Sequence, residues 1–528
     1  MGALSVSENV RPTQGGLVSQ PIDESYNVAP RPAPATRVGK QVVELLTNAY
    51  ELKFDPNARV YRYDVNVQLE AVEVVGDGVN KTRMISLNKG PRDDASQFER
   101  HELIRLAVRR GLEMYRILNE AGAFENGANM VAHDGAALLY ANGTLEGSLK
   151  KHGGTITITV NDLPVAARAN IRNQNVERIA ISIAPCQDGG DSFLLGDLQG
   201  QMTSDRSAID NSLKQFYEII TSAQAINEGN FSFFSGGRLY KADPNARNKP
   251  NRFGWNIGHG MERIPGITKG YSLVEGDGRG GGGRGGGGGH SGKGEGMSRA
   301  VAALIIDPTI GTFWKAGDLM CTVCEINGGV RPVDLEWTPE KIHKTEELLK
   351  NLRVTYNPPS GGSRFDFTIK GLATKPIHEL VEFNADGEEI STLSKFADHH
   401  TIEFRDWPCV VLKRAQRHLD NDNGKPRYTK EYFPIEFLHV LPHQRVCISK
   451  QQAQPVGAER PSERVRNTSE MLDALNLMGK PQKKPNPWME AFGISLEASP
   501  LKAEAIIRAK PSLSYGRGMA EITDTAKI

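Results

Sequence analysis

Three separated stretches of this chain alternate apolar and polar residues with period two: Tyr61, Tyr63, Val65 and Val67; Ile156, Ile158 and Val160; and Phe365, Phe367 and Ile369. That period puts each apolar set on one face of an extended strand, so each stretch reads as a half-buried antiparallel strand. Helical periodicity is confined to fewer places. Between Gln97 and Ala121 apolar residues fall at 103, 104, 106, 107, 112, 114, 115, 117 and 118, close to a 3.6-residue period, and Ile209–Ala225 is a second helix-like stretch. At 528 residues there is room for three or four such assemblies, so the expected class is α+β and multidomain.

Charge and cysteine content narrow the function classes. Lys and Arg number 64 against 63 Asp and Glu, so no global basic field announces a nucleic acid, and any binding surface has to be local. Five cysteines, odd and sparse, argue against a disulfide framework and for a reducing compartment, hence a cytoplasmic or nuclear protein. No segment approaches 18 consecutive apolar residues, and no membrane partner is expected. Residues 1–37, rich in Pro, Gly, Ser, Asn and Gln, read as a disordered leader. Gly276–Gly296 is nearly all glycine with Arg279, Arg284 and Lys293; it cannot bury a core and reads as a flexible linker. Within it Gly287 to Gly292-Lys293 has the spacing of a phosphate-binding loop, but Gly294 stands where a metal-ligating hydroxyl is required and no strand precedes it. Cys321-Thr322-Val323-Cys324 has zinc-knuckle spacing without a second ligand pair, so both cysteines read as core, and the adjacent His399 and His400 make no metal site. No serine elbow, zinc-protease motif or nucleophile with a base appears, so neither a cofactor nor a catalytic residue is expected.

The densest cluster of unusual residues runs from Trp407 to Arg445. It comprises Trp407-Pro408-Cys409-Val410-Val411-Leu412, then Tyr432-Phe433-Pro434-Ile435-Glu436-Phe437, then Pro442-His443-Gln444-Arg445. Aromatic rings (Tyr428, Tyr432, Phe433) and cations (Lys413, Arg414, Arg417, Arg445) lie close together there, the ingredients for stacking bases and meeting phosphates without reading sequence. The same aromatics also suit the core of a small barrel.

In the order of its motifs this segment resembles the PAZ domain of the Argonaute family, which grips the 3′ end of a small RNA. The resemblance extends along the chain. Val38-Gly39-Lys40 to Phe54 and Tyr61-Arg62-Tyr63-Asp64 resemble the opening strand pair of an Argonaute N domain (38–170). The first linker (171–315) is represented by Phe231 to Tyr240, Phe253-Gly254-Trp255 and Ala303 to Asp307, with Thr312-Phe313-Trp314 starting the helix that leads to PAZ. PAZ, a small OB-like β-barrel with an αβ insert, would occupy 316–447, and the second linker 448–528. In that linker Arg460 to Arg464 would precede a helix capped by Thr468 or Ser469, followed by Trp488 to Leu496 and a closing strand, Pro511 to Arg517.

The resemblance implies a fold, a partner and a site. The partner is the 3′ end of a small single-stranded guide RNA, alongside other silencing-complex proteins. Carried over residue by residue, the end-binding set is Tyr356, Arg364, Phe365, Phe367, Phe383, Lys395, His400, Tyr432 and Phe433, with Phe383 and Phe433 as stacking rings. Lys395 and His400 stand where the family has phosphate-binding tyrosines, and Arg364 sits one position off the pattern. The MID and PIWI domains of a slicing Argonaute would fall beyond Ile528, so no slicer activity is expected of this chain. The alternatives are a scaffold or competitor with a decayed pocket, and a fragment of a full-length slicer.

Overall fold

The computed structural model describes residues 42–75, 79–89, 94–115, 130–151, 153–163, 168, 171, 175–187, 190–196, 211–234, 237–243, 250–276, 299–358, 364–383, 389–397, 401–420, 426–446, 460–478, 484–506, 512–515 and 518–521. They form a mixed α+β fold, strand-rich with few helices. The chain divides into a large unit, Leu46–Leu501, and a small one of Met1–Leu45 with Lys502–Ile528. In the small unit Ser512–Tyr515 pairs antiparallel with Gly518–Glu521, and Lys502 Nζ lies 2.6 Å from Glu44 Oε1.

The large unit has three principal cores. The first forms around Arg59–Val75, a 17-residue strand whose alternate residues Tyr63, Val65, Val67 and Leu69 are all buried. Its sheet runs in the order Val131–His133, Leu138–Ala141, Arg59–Val75, Val176–Pro185, Thr155–Thr159. The helix Asp94–Met114 covers it with Leu103, Ile104, Ala107, Val108 and Leu112. This sheet continues past residue 170, where the N-terminal domain was expected to close. Val176–Pro185 carries its own period-two set, Ile179, Ile181 and Ile183, and finds its partner in Arg59–Val75, with Ile181 opposite Val67.

Val42–Phe54 and Arg59–Val75 are both strands, but they do not pair with each other. A turn at Asp55, whose Oδ1 accepts from Asn57 N at 2.9 Å, separates them, and the first strand joins a different sheet with Ala49 opposite Ile305. That sheet is built on a long hairpin of Met261–Gly276 and Arg299–Trp314, paired from Met261–Trp314 through Gly276–Arg299. The connection, 277–298, lies outside the described residues, and with it the glycine-rich insertion and its phosphate-loop spacing. Thr312, Phe313 and Trp314 finish the strand instead of starting a helix; the next helix is Leu319–Ile326. The helix Asn211–Asn227 lies on this sheet through Phe216, Tyr217 and Ile220, all fully buried. Pro461–Ala474 starts seven residues earlier than the expected cap, because proline suits the first helical turn and Glu463 accepts from Arg460 N at 3.2 Å. Thr468 is therefore mid-helix and bonds back to Arg464 O at 2.9 Å.

The third core lies between two small sheets. One is ordered Gly317–Asp318, Leu438–Val440, Arg353–Tyr356, Phe365–Thr368; the other Gly371–Pro376, Pro408–Asp420, Pro426–Phe433. Leu319, Val323 and Ile326 of the helix Leu319–Ile326 close one side. A short hairpin, Val381–Phe383 with Glu389–Ser391, leads into the helix Thr392–Ala397. Of the two knuckle cysteines Cys324 is buried and Cys321 exposed, so only Cys324 is core.

Gly260 joins the second core to the third. Its φ is +72°, its N–H donates to Glu325 Oε2 at 3.1 Å, and a Cβ there would stand 2.4 Å from Thr322 Cγ2. Gly260→Ala combines left-handed strain with a clash against a buried threonine, and is expected to cost about 2–3 kcal/mol, read as a lowered urea midpoint at unchanged slope.

Candidate functional site

The strand Arg353–Tyr356 pairs with Phe365–Thr368, placing Tyr356 opposite Phe365 and Val354 opposite Phe367. Alternation along the second strand turns Arg364 and Asp366 outward, buries Phe367 and leaves Phe365 half-buried. From the other small sheet Phe433 enters the same space, its strand held by Val410 opposite Phe433 and Val411 opposite Tyr432. From the helix Thr392–Ala397 comes Phe396.

These rings make one cluster with Phe433 at its centre. The Phe433 ring lies 5.0 Å from Phe367, 5.2 Å from Tyr356, 5.6 Å from Phe365 and 6.1 Å from Phe396, between centroids. Such tilted and edge-on pairs contribute roughly 0.5–1.5 kcal/mol each beyond their buried area. Phe433 is 3% exposed, Phe396 3% and Phe367 7%. The expected stacking ring of Phe433 is thus the centre of a core, since a ring enclosed by four others has no face left for a base. Phe367 is buried as well, against Phe365 and Phe433. Tyr356, at 9%, borders the cluster, and burial raises its phenol.

The elements that build this core also carry a rim of accessible side chains, with Tyr432, Lys413 and Lys430 on the ladder face opposite Phe433. Arg364 and Lys395 are exposed, and Phe365 and Tyr432 are half-buried. Lys413 and Lys430 stand directly opposite each other on Pro408–Asp420 and Pro426–Phe433, both exposed. Like charges paired across a ladder destabilise it, and an anion bridging them removes that cost.

Glu382, which the sequence did not single out, sits under the rim. It is 9% exposed; its Oε1 accepts from Tyr432 N at 2.9 Å and its Oε2 from Lys395 Nζ at 2.8 Å. The Lys395 ammonium also lies 5.4 Å from the Phe433 ring centroid and 5.6 Å from that of Phe396. Lys395, expected as a phosphate ligand, therefore has an internal carboxylate partner. The negative charge is felt nearby. Burial first and Glu382 second raise the Tyr432 phenol, while burial, Glu382 and Glu436 push the Cys409 thiol up to about 12. A glutamate between Val381 and Phe383 in an apolar run was the available signal.

Other expected residues are not brought together here. Arg445 lies 6.0 Å from the Tyr240 ring, away from the cluster. His400 lies outside the described residues, as do the side chains of Phe383, Arg414, Arg417 and Tyr428. Among the described residues no group of three or more His, Cys, Asp or Glu could hold a metal ion, and no helix is long and apolar enough to cross a membrane.

No family model matches the chain. Argonaute protein wago-1 of Caenorhabditis elegans is 22% identical over 500 residues, covering 92% of this chain and 47% of the relative. Argonaute protein wago-4 of the same organism is 22% identical over 437 residues, covering 80% of this chain and 40% of the relative. The chain thus spans less than half the length of these relatives. Among solved structures, Kluyveromyces polysporus Argonaute with a guide RNA overlaps 93% of this chain and 48% of its own at 14% identity and a TM-score of 0.44. The Drosophila Argonaute 2 PAZ domain overlaps 24% of this chain and 95% of its own, with 16% identity and a TM-score of 0.19. Along most of its residues, then, the chain is similar in sequence to the two nematode Argonaute proteins.

Proposed function

We propose that the chain is an RNA-binding protein of RNA-mediated gene silencing, and that the rim above the Phe433 cluster holds the 3′ end of a small single-stranded guide RNA. The observation that carries this reading is the rim itself. The strands that build the cluster also carry two half-buried rings, Phe365 and Tyr432, and exposed Arg364, Lys413 and Lys430, with Tyr432, Lys413 and Lys430 on one face of their ladder, in a chain similar to Argonautes. Stacking on the rings supplies roughly 1–3 kcal/mol per base, and the cations meet the last phosphates. Holding is what is proposed for these residues; cleavage is no part of it.

The test is binding of a labelled single-stranded RNA of about 20 nucleotides to the whole chain, with a free or a blocked 3′ end, across a salt titration. End-dependent binding supports the proposal. In Lys413→Ala with Lys430→Ala the affinity is expected to fall, and the slope of log affinity against log salt to flatten by roughly 0.7 for each phosphate contact removed. A second reading, a protein-binding scaffold, is favoured by the burial of Phe433 and by the capture of Lys395 by Glu382. RNA binding without end preference at low salt would favour it.

A further inference from the structure

We propose that Glu382 sets the charge specificity of this site: by holding Lys395 from inside, it prevents the site from rewarding a terminal phosphate. The inference rests on the RNA reading above and assigns a role to a residue which that reading does not use.

The argument is one of competing anions. The Lys395 side chain is 38% exposed, so its ammonium is within reach of a ligand, whereas that of Glu382 is 10% exposed and fixed. One Glu382 oxygen is tied to the Tyr432 backbone N–H and the other to Lys395. A phosphate that recruits Lys395 has to displace this carboxylate, leaving a nearly buried charge with one neutral donor. Stranding a buried charge costs more than an exposed phosphate contact returns. A phosphate approaching without displacement meets a carboxylate beside the ammonium and gains little from the pair. The ribose hydroxyls of an unmodified RNA end bring no additional charge, so an end of that chemistry enters without competing for Lys395 or breaking the pair.

Removing the charge while keeping the shape separates these terms. In Glu382→Gln the side-chain carbonyl still accepts from Tyr432 N, and Lys395 loses its anion. The experiment compares matched RNAs ending in a 3′-hydroxyl and in a 3′-phosphate on the full-length wild type, Glu382→Gln, Lys395→Ala and the double variant. The 3′-phosphate RNA is expected to bind about three- to ten-fold more tightly to Glu382→Gln than to wild type, with the hydroxyl-ended RNA changing less than about two-fold. Lys395→Ala alone is expected to weaken phosphate-ended binding by less than about two-fold, and to abolish the gain when combined with Glu382→Gln. An unchanged phosphate-to-hydroxyl ratio in Glu382→Gln overturns this proposal alone. Loss of about ten-fold or more in Lys395→Ala overturns it too, and that arm stands even where Glu382→Gln fails to fold. Absence of RNA binding by the wild-type chain overturns the RNA reading, and this proposal with it.

Discussion

Phe433→Ala is expected to lower the stability of the chain by about 3–5 kcal/mol, and to weaken RNA binding only as far as it unfolds the site. The ring is 3% exposed and meets Tyr356, Phe365, Phe367 and Phe396 with centroids 5.0 to 6.1 Å apart, so truncation empties the middle of the cluster. The vacated space is bordered by three strands and a short helix, which limits relaxation. Lys395 also loses the ring beneath its ammonium. Trp337 and Trp407, packed against each other in the same core at 5.5 Å, give an intrinsic fluorescence readout for a urea titration. Tyr432→Ala is the contrasting variant. Its ring is half-buried on the rim, so the loss should appear in RNA affinity, roughly 1–3 kcal/mol, with stability nearly retained. If Phe433→Ala kept wild-type stability and still lost end-dependent binding, the ring would be a platform for the ligand and its role in the core would be wrong.

The distinction between core and rim is where reading the sequence stopped. Alternation at Arg364–Ile369 located the strand and its buried face, because period two is a local property. It also brought Tyr356, Phe365, Phe367, Lys395, Tyr432 and Phe433 into one neighbourhood through the family resemblance. Which of these rings faces solvent depends on the strand Pro426–Phe433 meeting the strand Phe365–Thr368 across a shared core, a long-range arrangement that residue spacing does not encode. The Glu382–Lys395 pair was missed for a related reason: the partners stand thirteen positions apart on different elements, with residues 384–388 between them outside the described residues. Sheet membership behaved likewise. Val42–Phe54 and Arg59–Val75 were legible as strands, whereas their assignment to different sheets follows from Ile305 and Ile181, far along the chain.

Lys269 leads to the second large effect, a rise in stability with pH across the neutral to alkaline range. The residue is 2% exposed, its ammonium lying between the strand Met261–Gly276 and the helix Asn211–Asn227. It donates to Glu218 O at 3.1 Å, to Thr221 Oγ1 at 2.6 Å and to Ser222 Oγ. Those two hydroxyls give their own hydrogens to the Tyr217 and Glu218 carbonyls, at 2.6 and 2.5 Å, so their oxygens serve the lysine as acceptors. Burial lowers the lysine from 10.5 to about 7, with Glu218 opposing. In the window from about 7 to 10 the unfolded chain holds this proton and the folded chain releases it, so Lys269 contributes stability that rises with pH there. Cys409, raised by burial to about 12, opposes this from about pH 9, and Tyr271, also raised by burial to about 12, does so above pH 10, because the unfolded chain then loses protons that the folded chain keeps. The full shift would correspond to about 5 kcal/mol, and three acceptors around the ammonium favour its charged form, so a rise of about 2–3 kcal/mol between pH 7 and 10 is expected. Lys269→Met should remove the rise and match or exceed the wild type at pH 7, since an apolar chain of similar length there needs no proton and Thr221 and Ser222 keep their helix carbonyls. Urea midpoints of both proteins at pH 7, 8.5 and 10 decide the matter. A wild type as flat as the variant would mean that the ammonium stays charged throughout, its three acceptors outweighing burial.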